Sequence, residues 1–439
     1  MIMTIKTKDI LIIGFALFAI FFGAGNLIFP PYLGIVSGES WLSAALGFLT
    51  SDPFFPILGV LVTIYLGGRA NDLGKRIHPQ FGTVLAGIAI ILIGPLFSVP
   101  RTGATTHEVF IQSLWPNIPI WLSSLVFFAL TAYLALNPSK VINNIGKYLT
   151  PGILIILLFL VLVTLFNPPA AAAPSQISQP FAYGFKEGYQ TMDALGASLM
   201  ASIVMSELRA RGYSDKKTQI KAGALVGLVA FVLLAVVYLS LTYAGSTVSS
   251  LMGADIDRTA SFNGTVTAIL GQWGHLIMGI CVALACLTTA IGLTSAFSNF
   301  FVEVSKGRWS YQAITLVAVA IEFMISLLGT NQIIFLASFV LTTIYPIFMV
   351  LILFSVFDRK ISYDLTYTGA VIGAGAVGLV QALAGTGLGV LESLFGPLAQ
   401  FTYQLPLSQL GLEWLLPALL VAGTFSLYAA MKNKESASN

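Results

Sequence analysis

Residues 14–34, GFALFAIFFGAGNLIFPPYLG, are long and apolar enough to cross a bilayer, yet Gly23, Ala24, Gly25 and Asn26 stand at their midpoint. An apolar run of about 20 residues reads as a membrane span. Inside hydrocarbon, each backbone N–H and C=O must also find a partner. Two glycines and an asparagine at the centre of such a run therefore predict a helix that stops and restarts. Close helix packing is the other use of paired small residues, but Asn26 and the following Pro30 and Pro31 favour interruption. A stopped helix frees carbonyls at the end of its first half and N–H groups at the start of its second. These ends carry about half a negative and half a positive charge. Phe21 and Phe22 can then offer carbonyls to a cation, and Gly25 and Asn26 can offer N–H groups to a carboxylate.

The rest of the chain is of the same kind. Its 439 residues are 57% hydrophobic and 9% charged, where a soluble protein carries about 25% charge, so the chain reads as an all-α polytopic membrane protein. Apolar runs between polar turns predict twelve spans near residues 10–36, 41–66, 81–106, 119–137, 151–167, 186–208, 220–245, 268–300, 310–328, 332–356, 366–384 and 414–431. With the N-terminus cytoplasmic, all of the 21 Lys and Arg except Arg101, Lys186 and Arg258 fall in inside segments. The positive-inside rule therefore places both termini in the cytoplasm. Trp41, Trp115, Trp121, Trp273, Trp309 and Trp414 fall near span ends, as expected of residues that prefer the headgroup interface. Residues 385–413 are expected outside the membrane. Lys6 and Lys8 before an apolar core resemble the head of a signal peptide, but the hydrophobic run resumes through Ile28 and Phe29 without a cleavage context. Cys281 and Cys286 share one apolar run and are expected to pack there, with no disulfide framework or metal site.

A second interrupted span is expected at 186–208, KEGYQTMDALGASLMASIVMSEL, where Asp193 and Gly196 stand in an otherwise apolar helix. Asp193 is expected to cap the restarted helix by accepting an N–H near Gly196 and also to face a site, since an acid at membrane depth normally faces a cavity or a partner. The two breaks begin five spans apart, and a five-span unit is odd, so its second copy enters the membrane from the other side. This gives a 5+5 inverted repeat with broken helices 1 and 6, over about 10–167 and 186–356. Two additional helices follow at about 366–431. The chain 1–439 is thus one integral membrane domain.

Other residues carry weaker signals. Ala285, Thr288, Thr289 and Gly292 share a helical face, and two hydroxyls beside small residues can complete an oxygen cage for a cation. Bonding of each hydroxyl to the carbonyl one turn back is the ordinary alternative, and on the residues alone it is favoured. Arg101, beside Pro100 in GPLFSVPRTGATTHE, could gate the outer mouth or hold a carboxylate, with Glu108, Glu187 or Asp193 as possible partners; snorkelling to the interface competes. Asp52 and Glu322 are deep by position and have no evident partner. Gly373, Gly375 and Gly378 spell GxGxxG without the strand that a dinucleotide site requires, so packing is the better reading. His78, His107 and His275 lack metal-ligand spacing, and no catalytic constellation is present.

The stretches FFGAGNLIFPP (21–31), GPLFSVPRTGATTHE (94–108), EGYQTMDALGA (187–197) and ACLTTAIGLT (285–294) resemble the branched-chain amino acid:cation symporter family of the BrnQ type. The likeness runs over nearly the whole chain. It implies a LeuT-type fold and uptake of leucine, isoleucine and valine across the bacterial cytoplasmic membrane, coupled to sodium. A proton-coupled carrier or an exchanger is the alternative, with Asp193 as the first suspected proton acceptor; a membrane amino acid sensor is the more distant one. The resemblance also implies a sodium site of Ala19, Phe22, Ala285, Thr288 and Thr289. It implies a substrate site of Gly23, Ala24, Gly25 and Asn26 facing Thr191, Met192, Asp193, Ala194, Leu195 and Gly196. Arg101 and Glu108 remain the gate candidates. The lipid bilayer is the expected surrounding, and no organic cofactor, nucleic acid or obligate protein partner is expected.

Overall fold

The protein, seen here in a computed structural model, is described over residues 5–136, 141–253 and 255–438. Lys140, counted above among the inside charges, lies outside the described residues. The described residues form helices and turns only. Helix α1 (Thr7–Phe21) is followed after two residues by α2 (Ala24–Ser37), so the interruption expected at Gly23, Ala24, Gly25 and Asn26 falls instead at Phe22 and Gly23, with Ala24, Gly25 and Asn26 already in the first turn of α2. A short turn leads to α3 (Trp41–Leu49) and α4 (Phe55–Leu66). Between these two, Asp52 leaves helical geometry at φ −151°, ψ 115°, the extended shape that a following proline, here Pro53, imposes on its neighbour. Helix α5 (Pro79–Ile91) ends at a similar break around Gly94 and Pro95, after which come α6 (Ser98–Thr106) and the single turn α7 (Gln112–Leu114).

Helices α8 (Ile120–Leu136) and α9 (Val141–Phe166) complete the first half. The second opens with α10 (Pro180–Glu187), a tight turn Gly188–Thr191, and α11 (Asp193–Ala210). Then follow α12 (Lys216–Ser246), α13 (Arg258–Val304), α14 (Tyr311–Ser326), α15 (Thr330–Val356), α16 (Leu365–Ala384), α17 (Gly389–Thr402) and α18 (Leu415–Ser438). Asp215, Asp257 and Ser310 cap α12, α13 and α14 by accepting the N–H of Thr218, Ala260 and Ala313 at 2.9, 2.7 and 3.2 Å.

By length and composition, seven helical stretches among the described residues can cross a membrane: Gly25–Leu66, Pro79–Leu114, Lys216–Ser246, Arg258–Val304, Thr330–Val356, Leu365–Ala384 and Leu415–Lys434. Ile120–Leu136, Gly152–Phe166 and Tyr311–Ser326 are apolar but shorter. One expectation changes. The span expected at 268–300 begins at Arg258, because RTASFNGTVT is helical though polar; the helix kinks at Gly271, whose φ of 67° a side chain would resist. Residues 385–413, whose structure the sequence leaves open, include helix α17. Trp414, next to the start of α18, is only 2% exposed, whereas Trp115, Trp121, Trp273 and Trp309 are exposed.

Two apolar cores are joined where Leu199 and Leu293 touch both. One lies among α1, α2, α12 and α13, the other among α15, α16 and α18. The outer surface carries many exposed large apolar side chains, such as Leu125, Phe166, Val236 and Leu420, a surface suited to lipid and unsuited to water. The glycines of the GxGxxG run serve packing. A Cβ on Gly373 would stand 2.6 Å from the Pro417 carbonyl of α18, and one on Gly378 would stand 2.5 Å from the Thr342 carbonyl of α15. Cys281 and Cys286 are buried and free.

Candidate functional site

The first break places Asn26 at the centre of the molecule. Its Oδ1 turns back to accept from the Gly23 N–H at 3.3 Å, closing the start of α2. Its Nδ2 faces three oxygens: Asp52 Oδ2 at 3.3 Å, Asp193 Oδ2 at 3.0 Å, and the Tyr238 hydroxyl. An amide nitrogen has only two hydrogens, so the three cannot all be acceptors at once, and the Tyr238 O–H is free to donate elsewhere.

The second break falls at Met192, which takes a left-handed conformation with φ 66°. Such a conformation is uncommon for a residue other than glycine, and this one lies at the turn from Thr191 into α11. Asp193 begins that helix but does not cap it, which corrects the expected bond to the Gly196 N–H. Its carboxyl is turned toward Asn26 instead. The Leu195 N–H goes to the Met192 carbonyl at 3.1 Å, and the Ala194 N–H goes to the Tyr345 hydroxyl at 3.3 Å.

Between the breaks lies a cavity of about 30 Å³, lined among others by Gly23, Gly25, Asn26, Arg101, Thr191, Met192, Asp193, Gly196 and Thr289. Ile20, Ile93, Met200 and Leu293 give it an apolar side. That volume suits a water molecule but no amino acid, so the site is closed. Ala24 is the first residue of α2, whereas Ala194 and Leu195 turn into the core and do not line it. A larger cavity of about 740 Å³ opens between α10, α15 and α16 and reaches Glu187 and Gln190, but neither Asn26 nor Asp193 lines it.

Arg101 on α6 is 2% exposed. Its Nη1 donates to the Gln190 carbonyl at 2.6 Å, and its guanidinium lies over the Phe29 ring at 5.3 Å. A Cβ on Gly25 would come within 2.7 Å of Arg101 Nη2, so glycine at that position lets the cation approach the exposed N–H groups of α2. Glu108 does not pair with Arg101. Its Oε1 accepts the Thr330 N–H and its Oε2 the Thr259 hydroxyl, both at 2.8 Å, tying together the starts of α13 and α15. Of the residues assigned to sodium, Thr289 reaches the cavity and stands 3.5 Å from where a Gly23 Cβ would be. Thr288 donates to the Ala285 carbonyl at 2.9 Å, the one-turn bond considered as the alternative. Ala19 and Phe22 occupy the last turn and end of α1; with Ala285 they stand outside the cavity lining. Glu322 is buried away from the breaks and accepts from the Thr294 hydroxyl at 3.0 and 3.1 Å.

The site is shut along the α1–α2 line in two places. Beyond it, Arg258 donates to Glu187 at 2.7 Å and lies over the rings of Tyr32 at 4.3 Å and Phe29 at 6.0 Å, while the Tyr32 and Tyr183 hydroxyls meet at 2.9 Å. At the N-terminal face, Asp9 accepts from Arg211 at 3.0 Å and from the Tyr213 hydroxyl at 2.9 Å. That hydrogen bond and Arg211 hold the Asp9 carboxyl below its ordinary value, against a smaller opposing effect of burial. Sequence reasoning left Asp52 without a partner and passed over Tyr238 altogether. Arg258 did leave a signal, as the one basic residue placed in an outside loop.

Two interrupted helices meeting at a buried polar cavity, closed at both ends and wrapped in an apolar surface, define a polytopic membrane protein built around that cavity. Comparison with solved structures agrees on the fold. The chain is similar to Mhp1 in an inward-facing conformation, with TM-score 0.61 and 12% identity over 95% of this chain and 91% of that one. It is also similar to Mhp1, a nucleobase-cation-symport-1 family transporter, closed with bromovinylhydantoin bound, with TM-score 0.55 and 14% identity over 95% and 93%. Residues 6–432 match the family described as branched-chain amino acid transport protein, and the chain belongs to that family. Its relatives include the branched-chain amino acid permeases BrnQ of Bacillus subtilis (strain 168), 36% identical over 94% of this chain and 95% of the relative, and BraB of the same organism, 33% identical over 95% of each. BrnQ of Escherichia coli (strain K12) is 32% identical over 95% and 94%. The protein is therefore a transport protein and not an enzyme.

Proposed function

We propose that the protein takes up leucine, isoleucine and valine by sodium-coupled symport. The observation that carries this reading is the convergence of the α2 N-terminus, Arg101 and Asp193 on one cavity with an apolar side. A branched-chain amino acid is a zwitterion with an aliphatic side chain, and each part has a counterpart. The N–H groups of Gly25 and Asn26, reinforced by Arg101, receive the carboxylate. Asp193 and the carbonyls freed at the end of α1 receive the ammonium, and Ile20, Ile93, Met200 and Leu293 receive the side chain. Sodium is assigned to Ala19, Phe22, Ala285, Thr288 and Thr289, a set of carbonyl and hydroxyl oxygens suited to a small hard cation.

The cavity must open to admit its substrate, which fits alternating access around a fixed central site in a twelve-span, 5+5 inverted-repeat frame of the LeuT type. Bacterial relatives and the distribution of Lys and Arg support a bacterial cytoplasmic membrane location with both termini inside. Moving one cation inward down 100 mV releases about 2.3 kcal/mol, enough for roughly 50-fold accumulation.

The test is uptake of labelled isoleucine into proteoliposomes with and without an inward sodium gradient, with Thr289→Ala beside the unaltered protein. Sodium-driven accumulation that is reduced at least tenfold in Thr289→Ala is expected. Accumulation indifferent to sodium would remove the sodium assignment.

A further inference from the structure

The start of α12 carries a stripe that changes character along its length. Lys217, Lys221, Leu225 and Leu228 follow one another at helical spacing and so share one face, and all four are exposed. The lysines stand at the end of α12 that lies on the same side as the Asp9–Arg211 pair, and the leucines follow toward the middle of the helix. From Lys221 to Leu228 the stripe runs about 10 Å. Beside it lies a cavity of about 750 Å³ between α12 and the first turns of α1, whose α1 wall includes Ile10 and Leu11. The two helices touch at its deep end, where a Cβ on Gly14 would stand 2.7 Å from the Val229 side chain; from there toward the N-terminal face the cavity separates them.

Charge says what fits this groove. The acid in its lining, Asp215, spends one oxygen on the Thr218 amide and hydroxyl at 2.9 and 3.0 Å. Lys217 stands near enough to that acid to stabilise its charge, whereas Lys221 forms no ion pair among the described residues. Lys8, exposed one turn before Leu11 on α1, adds a further cation beside the groove. Exposed leucines next to a cationic end suit neither water nor a small soluble anion. They suit an amphiphile, since basic residues where a helix leaves the membrane attract anionic headgroups and an aliphatic wall is covered by an acyl chain.

We propose that an anionic phospholipid from the leaflet on the N-terminal side occupies this groove and holds α1 in its closed position. Its phosphate rests on Lys217 and Lys221, and one acyl chain lies along Leu225 and Leu228 against Ile10 and Leu11. Helix α1 leads to the first break and shuts the N-terminal side of the central cavity, with Asp9 and Arg211 as its latch. A lipid seated between α1 and α12 loses one wall of its groove when α1 departs, so its binding favours the closed face. This inference rests on the membrane setting and not on which cargo is carried.

The purified full chain in detergent is offered phosphatidylglycerol or phosphatidylcholine of the same acyl chains, and bound lipid is counted by native mass spectrometry. Phosphatidylglycerol is expected to bind the tighter, and joint Lys217→Gln and Lys221→Gln to weaken it about 30-fold. Joint Lys217→Arg and Lys221→Arg should retain it. Joint Lys306→Gln and Lys434→Gln, which removes two exposed charges elsewhere, should leave it unchanged. Equal affinity for the two lipids would overturn the site, and so would an equal loss in the Lys306 and Lys434 variant. Displacement of the lipid by an equal concentration of glycerol phosphate would overturn the acyl-chain half of the groove. Should the double glutamine variant fail to fold, Lys221→Gln alone is expected to weaken binding about fivefold, and no change in it would overturn the site. Amide hydrogen exchange over residues 7–14 reads the hold on α1. In phosphatidylglycerol nanodiscs it is expected to be at least threefold slower than in phosphatidylcholine, a difference lost in the double glutamine variant. Phosphatidylglycerol that binds without slowing this exchange would overturn the hold.

Discussion

The two closures of the central site differ in depth. On the side away from the N-terminus, Phe29 lies between Arg101, which borders the cavity, and Arg258, which pairs with Glu187, at 5.3 and 6.0 Å from the two guanidiniums. One ring and one ion pair separate the site from that mouth. On the N-terminal side the latch of Asp9, Arg211 and Tyr213 stands thirteen residues before Phe22, about 20 Å along a helix. Ile13, Leu17, Phe18 and Phe21, all buried, fill the interval. The contrast teaches that the far closure is a thin gate held by charge, whereas the N-terminal closure is a thick apolar plug to which the ion pair adds little. The difference predicts that opening the first takes side-chain movement and that opening the second takes movement of α1 as a body.

Ser98, which lines the cavity, makes a reporter as Ser98→Cys in a background where Cys281 and Cys286 are alanine. The largest effect is expected from Arg258→Gln. Leaving Glu187 buried without its partner costs about 3 kcal/mol, so labelling of the reporter by an impermeant thiol reagent from the far face should rise on the order of a hundredfold. Unchanged labelling would mean that Phe29 and its neighbours close the gate without the ion pair. A smaller effect is expected from Arg211→Gln. Its pair with Asp9 is partly exposed and so weakened by water, and labelling from the N-terminal face should rise no more than about fivefold. A rise equal to that of Arg258→Gln would break the distinction between gate and plug.

The smallest effect concerns pH. Because the folded Asp9 carboxyl titrates below its ordinary value of 3.8, its contribution is present in full above that value and lost as pH falls through the lower folded one. N-terminal-face labelling should therefore stay level between about pH 8 and 5 and rise only under stronger acid. A rise near neutrality would assign that latch to another group.

The first break was legible because its residues advertise it. Gly23, Gly25 and Asn26 are poor choices for a continuous apolar helix and good ones for a close approach by Arg101. The second was found but misplaced: Asp193 and Gly196 drew attention, while the turn is made by Met192, a residue type with no preference for the left-handed conformation it adopts. Asp52 and Asp193 were each visible as acids at membrane depth, yet nothing local could show that chain positions 141 residues apart share one amide. Arg258 stood out against the charge pattern, but its pairing with Glu187 depended on the polar segment after it becoming helical, which hydrophobic periodicity does not reveal. The packing role of Gly373 and Gly378 was read correctly for a simple reason: the missing strand excluded the alternative.

The cavity at the breaks has room for a water molecule and none for an amino acid. With the substrate at the breaks, as proposed, each turnover swells the protein interior by nearly the volume of its cargo and then collapses it again. The loading step performs mechanical work against its surroundings, so hydrostatic pressure and a tightly packed bilayer act on it as opponents, much as a rival ligand would, without touching the site.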